Sequence, residues 1–161
     1  IYPYMQVSLS PTRTNFENLE IKIGQLHTFW ESDILKLLSD VNFSYGKAST
    51  INFNSQKFAF GLGLALGGYW EKTFVAAIVE YENIYATRIE HTPDYRNRIY
   101  MEAKDAWYKG SGGTLQFGLE GGVIVRKLID LNIDLKIPMT SNLNPMMGSP
   151  FHINLGVGYH F

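Results

Sequence analysis

Three absences narrow the problem before any motif is sought. The chain of 161 residues holds no cysteine, so it has neither a disulfide framework nor a thiolate metal site, and its redox compartment stays open. No charge of one sign prevails: the formal net charge is −1 without a long run of acids or bases, which excludes a nucleic-acid surface and a polybasic membrane patch. Nor is there a long hydrophobic run. The least polar stretch, Phe58 to Trp70, falls well short of the roughly 20 residues of a membrane-spanning helix, yet it holds a tilted membrane strand of about 9–11. The opening at Ile1 shows no basic and apolar leader, so a secretory signal is expected to have been removed or left out. What is present is apolar content enough for one folded domain, 45% with 14% aromatic.

The pattern is alternation. Phe58, Phe60, Leu62, Leu64 and Leu66 face one way and Ala59, Gly61, Gly63, Ala65 and Gly67 the other. Val75, Ala77, Val79 and Tyr81 continue the apolar face in the next segment, opposite Glu80 and Glu82. A two-residue turn at Glu71-Lys72 sets Leu64 against Val79, Leu66 against Ala77, Gly63 against Glu80 and Gly61 against Glu82. Small residues then face large ones. Leu19, Ile21 and Ile23 alternate with Glu20 and Lys22; Leu115, Phe117 and Leu119 with Gln116, Gly118 and Glu120; Leu131, Ile133 and Leu135 with Asp130, Asn132, Asp134 and Lys136. Of two registers for this last pair, charge complementarity favours Arg126 against Asp130 and Glu120 against Lys136, rather than Glu120 against Asp134. From Ser32 to Tyr45 both a Ser32-capped helix and a strand fit, and strand from about Leu37 is preferred. Gly110-Ser111-Gly112-Gly113 is expected to turn the chain, with no phosphate-cradle context around it.

Counting back from the C-terminus predicts eight strands, near 18–27, 37–47, 57–70, 73–85, 98–108, 114–126, 130–138 and 151–161. The expected fold class is all-β: a closed antiparallel up-and-down barrel over residues 17–161, with residues 1–16 an N-terminal arm or an extra edge strand, and ten strands as the alternative. Alternation alone does not say which face points inward. Paired charges interleaved with glycine and alanine suit a crowded lumen, and Trp70, Tyr81, Tyr85, Trp107 and Tyr159 near strand ends suit aromatic belts. A membrane barrel is therefore preferred to a soluble lipocalin-like ligand-binding barrel.

The final strand carries a resemblance. Ile153, Leu155, Val157, Tyr159 and Phe161 lie on one face of a strictly alternating segment that ends on an aromatic, and this resembles the C-terminal strand of small Gram-negative outer-membrane β-barrels, the class of the OmpA transmembrane domain and the OmpX/Ail group. The resemblance implies the cell outer membrane, contact with its lipid and lipopolysaccharide, and recognition of those five residues by the barrel-assembly machinery. No loop looks long enough for the protruding extracellular sheet of the OmpX/Ail group.

The expected lumen charge network comprises Glu20, Lys22, Glu80, Glu82, Glu102, Lys104, Glu120, Arg126, Asp130, Asp134 and Lys136. Catalysis has one weak candidate pair, Ser141 and His152, with Asp134 or Glu120 as orienting acid. The bland reading makes Ser141 a turn residue and His152 a rim side chain, and the His-x-Ser pattern of outer-membrane lipid A deacylases is missing, since Met139 stands where histidine is needed. His152 and His160 lie eight residues apart, about 27 Å at strand rise, so they cannot share a metal, and neither metal nor cofactor is expected. The default function is structural: a scaffold or accessory interaction subunit with a protein partner in a membrane complex. A lipid-modifying enzyme and a narrow pore are the alternatives within the membrane.

Overall fold

The computed structural model describes residues 2–9, 19–50, 52–126, 128–139 and 152–161. Eight strands follow one another in space as in sequence: β1 (Tyr2–Leu9), β2 (Leu19–Glu31), β3 (Leu35–Ser49), β4 (Phe53–Tyr69), β5 (Thr73–His91), β6 (Ala106–Arg126), β7 (Ile129–Met139) and β8 (His152–His160). Each is antiparallel to the next, and β8 pairs back onto β1, so the sheet is a closed up-and-down barrel. A helix of six residues, α1 (Pro93–Arg98), lies between β5 and β6.

One rim carries the tight turns. There β2 meets β3, β4 meets β5 and β6 meets β7, and there β1 begins beside the end of β8, with the Phe161 amide donating to the Pro3 carbonyl at 3.2 Å. The other rim carries the 92–105 connection with α1. At the first turn the Ser32 amide donates to the Leu35 carbonyl at 2.8 Å, so Ser32 closes a turn and caps no helix. Strand starts at Leu35, close to the preferred reading.

Alternation sets the faces. Leu62, Leu64 and Leu66 point outward and are 46%, 50% and 51% exposed, whereas Lys22, Glu80 and Lys136 point inward and are 9%, 8% and 7% exposed. The burial of an ordinary globular protein is inverted, with charge at the centre and hydrocarbon on the surface. The β4–β5 hairpin has the register that parity predicts, pairing Gly63 with Glu80, Leu64 with Val79 and Gly61 with Glu82. From Val75 to Tyr85 along the outer wall is about 33 Å of strand, which at a tilt of about 40° spans about the 25 Å of a membrane barrel's apolar band. Trp70, Tyr159 and Phe161 are exposed near the turn rim, and Tyr85 and Trp107 toward the other.

Three expectations are corrected. The predicted strand 98–108 and the turn at Gly110–Gly113 are replaced by one long strand, β6, that runs through the glycines. There the β5–β6 ladder shifts register between Ile84 and Ala86, and Gly112 takes φ +122°, which L side chains rarely adopt. The glycines make a bulge within a strand and not a reversal between strands. Strand β5 likewise runs on to His91, through residues expected to form a polar connection. Second, the β6–β7 register is the disfavoured one: Glu120 lies opposite Asp134 and Gly118 opposite Lys136. A bulge between Ile124 and Arg126 brings Arg126 opposite Ile129 and shortens the turn. Lys136, which the ladder sets against glycine, is met across the lumen by Glu80. Third, several strands run past their expected ends, and β3 to β6 are far longer than β1, β7 and β8, so one flank stands well above the other.

Tyr2–Leu9, left by the sequence between arm and edge strand, pairs with β2 on one side and β8 on the other. The count of eight is right with one member exchanged. The β1–β8 seam is the shortest ladder, running only over Tyr4–Leu9 against Leu155–His160.

Candidate functional site

The lumen is where polar chemistry is concentrated, because the outer wall offers almost none. Its centre is Glu80 of β5. Lys22 of β2 donates to Glu80 Oε1 at 2.8 Å and Lys136 of β7 donates to Oε2 at 2.7 Å. Strands β2 and β5 stand three apart in a ring of eight, so these two bonds tie separate walls together across the interior. Asp134 adds a longer contact to Lys136 at 3.8 Å. Nearer the loop rim, Lys57 bridges Glu20 at 3.2 Å and Glu82 at 2.8 Å, and Ser44 donates to Glu82 at 3.4 Å. Such a crossing network leaves little room for solute, and a charge inside it is stabilised only while its partner is present.

Around this centre most of the remaining polar groups are also matched. Tyr4 donates its hydroxyl to Asp40 Oδ1 at 2.9 Å and Asn42 donates to Oδ2 at 2.5 Å. Asp130 meets His160 Nε2 at 2.5 Å and accepts from Asn132 at 3.0 Å, while Asn154 donates to Asp134 at 2.8 Å. Gln6 of β1 donates to Asn132 of β7 at 3.1 Å. Glycine makes this density possible. A Cβ on Gly61 would meet the Asn42 carboxamide at 2.5 Å, and Asn42 is 1% exposed.

Of the predicted network, Glu20, Lys22, Glu80, Glu82, Glu120, Asp130, Asp134 and Lys136 share the lumen. Glu102 and Lys104 do not: they lie exposed in the connection between α1 and β6, because the strand assigned to them begins only at Ala106. Arg126 closes β6 opposite Ile129 at the turn rim. Lys57, Tyr4, Asp40, Asn42 and His160 also belong to the network, and of these Lys57, Tyr4, Asn42 and His160 had no site role in the sequence reading. Lys57 shares parity with Ala59 and Gly61, a signal sufficient to place it inward; Tyr4 was hidden by the unresolved reading of the first 16 residues.

The catalytic pair fares differently. Ser141 lies outside the described residues. His152 begins β8 opposite Lys136, and among the described residues no hydrogen bond joins it to Asp134 or Glu120. No group of three or more histidine, aspartate or glutamate side chains among the described residues is arranged to hold a metal ion.

At the loop rim a second polar cluster fastens the 92–105 connection. Asp105 accepts from the His91 amide at 2.8 Å and pairs with the Arg96 guanidinium. The hydrogen bond from Arg96, with that from the His91 amide, holds the Asp105 carboxyl down at about 2. Thr92 caps α1 by accepting from the Tyr95 amide at 3.3 Å and donates to the Asn52 carbonyl at 3.1 Å.

No protein-family model matches the chain, and no curated protein matches it. Solved structures do. Neisserial surface protein A is 10% identical, with 99% of this chain and 96% of that one covered at a TM-score of 0.57. The N-terminal β-barrel domain of Pseudomonas aeruginosa OprF is 11% identical, over 99% and 97% at 0.50. The outer-membrane enzyme PagL is 6% identical, over 100% and 99% at 0.48. At these identities the likeness is one of fold, and the chain has the fold of the small eight-stranded barrels of the outer membrane.

Proposed function

We propose that this protein is an outer-membrane barrel that serves as an anchor or scaffold and presents its rims, above all its tall flank, to a protein partner. One observation carries the reading: the outer wall is a continuous belt of exposed Leu, Val, Ile and aromatic side chains around an interior cross-braced by Lys22, Glu80 and Lys136. Exposed apolar area of that extent needs lipid against it. A lumen spanned by buried ion pairs is unsuited to conduction, which argues against a pore. The wall would meet lipid and lipopolysaccharide, and the outward row Ile153, Leu155, Val157, Tyr159 and Phe161 would be read by the assembly machinery.

The test is gel mobility of detergent-extracted protein, unboiled against boiled, followed by identification of what co-purifies. A large mobility shift on boiling supports a closed detergent-stable barrel. Full solubility in plain buffer with no shift would overturn the membrane reading. A conductance in planar bilayers that survives in the parent protein would overturn the scaffold reading and leave the membrane one standing.

A further inference from the structure

Between the charge network and the turn rim the lumen opens into a cavity of 240 Å³. Its lining mixes two chemistries. Lys22, Asp40, Glu80, Glu120, Asp134 and Lys136 line it together with Leu26, Leu38, Phe74, Ile78 and Ile124, and Glu120, opposite Ala76, stands in the ladder between Phe74 and Ile78. These apolar side chains occupy inward positions of strands whose inward face is elsewhere mostly polar or small, and Tyr69 and Phe74 stack at 5.7 Å and 9°. An apolar lining inside the lumen does nothing for membrane insertion, which uses the outer face.

The polar lining is unbalanced. Five carboxylates, those of Asp40, Glu80, Glu120, Asp130 and Asp134, line the cavity with two lysines and His160. Four of the five have partners: Tyr4 and Asn42 for Asp40, the two lysines for Glu80, His160 and Asn132 for Asp130, and Asn154 with Lys136 for Asp134. Glu120 has none among the described residues, and its ladder neighbour is another acid, Asp134. Without a hydrogen bond or ion pair, this inward carboxyl group is the open acceptor of the lining, and a charge-assisted bond from an ammonium would satisfy it. The described residues assemble no metal site here, and the apolar lining suits hydrocarbon.

We propose that this chamber binds a small amphipathic organic cation, a primary ammonium on a single aromatic or branched aliphatic body, with the ammonium at Glu120 and the body on Leu26, Leu38, Ile78 and Ile124. Size sets the class. The cavity exceeds the roughly 150 Å³ that holds benzene and falls below the roughly 300 Å³ at which pockets for drug-sized ligands begin. The inference rests on the lumen alone and is independent of what the rims bind.

The test uses the folded protein in zwitterionic lipid nanodiscs with isoleucine methyl groups labelled, titrated with 2-phenylethylammonium and, separately, with neutral 2-phenylethanol. Saturable shifts at Ile78 and Ile124 are expected, with outward Ile133 and Ile137 unmoved, and the cation should bind roughly tenfold or more tightly than the alcohol. Glu120→Gln should abolish that preference and leave alcohol binding unchanged, whereas Glu120→Asp should retain it. Equal affinities of cation and alcohol in the parent protein would overturn the proposal without recourse to any variant. So would shifts confined to Ile133 and Ile137, which mean partition into lipid, or a preference that survives Glu120→Gln.

Discussion

Glu80 is the residue on which the interior turns, and its replacement by alanine gives the sharpest test of the inverted packing. The change would leave Lys22 and Lys136, 9% and 7% exposed, without the acceptor that both reach at 2.7–2.8 Å. Removing one partner of a buried ion pair costs about 3–5 kcal/mol, mostly through the charge left behind. Two stranded lysines put Glu80→Ala at the upper part of that range, about three decades or more in the folding equilibrium. The comparison is the apolar replacement of the whole group, Lys22→Met with Glu80→Leu and Lys136→Met, which strands nothing and is expected to return stability to within about 1 kcal/mol of the parent or to exceed it. Urea titration in lipid vesicles reads both, since Trp30, Trp70 and Trp107 stand exposed on the outer wall and their emission follows transfer between lipid and water. A loss under about 1 kcal/mol for Glu80→Ala would mean a pair as weak as a surface one, and the lumen would then be wet.

Three further outcomes are expected. Leu64→Arg, at mid-height of the outward face of β4, should cost about 2–4 kcal/mol in vesicles, measured by the same titration; no loss would mean that this face meets water. Gly112→Ala, at φ +122° with open space around its Cβ, should cost about 1–3 kcal/mol through backbone strain alone, whereas a neutral result would show that the bulge can relax. Because Asp105 is held at about 2 against an ordinary 3.8, its contribution is full above about 3.8 and is lost as pH falls through about 2. Hydrogen exchange of the His91 amide should accordingly show protection from neutral pH down to about that point, and Asp105→Asn should weaken it at every pH.

The faces were legible because alternation with period two depends on nothing but the pleat, so the β4–β5 hairpin could be registered from parity alone. Where an extra residue enters a strand the same logic fails. The Gly110–Gly113 segment looks like a turn by composition, and only the φ of Gly112 and the displaced ladder opposite Ile84 reveal a bulge. The β6–β7 register was misjudged for a different reason. Charge complementarity was sought between neighbouring strands, but in a narrow barrel a lysine such as Lys136 is long enough to be neutralised two strands away by Glu80. Pairing across a lumen leaves no trace in local sequence. Glu102 and Lys104 were drawn into the network by the mistaken strand around them, and Tyr4 was left out because a strand that closes a ring receives its partners from both ends of the chain.

The short β1–β8 ladder bears on how the ring comes together and where it gives way. Every other junction joins strands adjacent in sequence and can zip from its own connection; the seam must bring together the first strand and the last, at the greatest cost in chain entropy and with the fewest backbone bonds in return. It is therefore the joint that forms last and parts first. A ring that parts there presents two unpaired strand edges at once, beside a rim where Phe161 and Pro3 share a single hydrogen bond, and whatever inserts or dismantles this barrel meets it at that clasp.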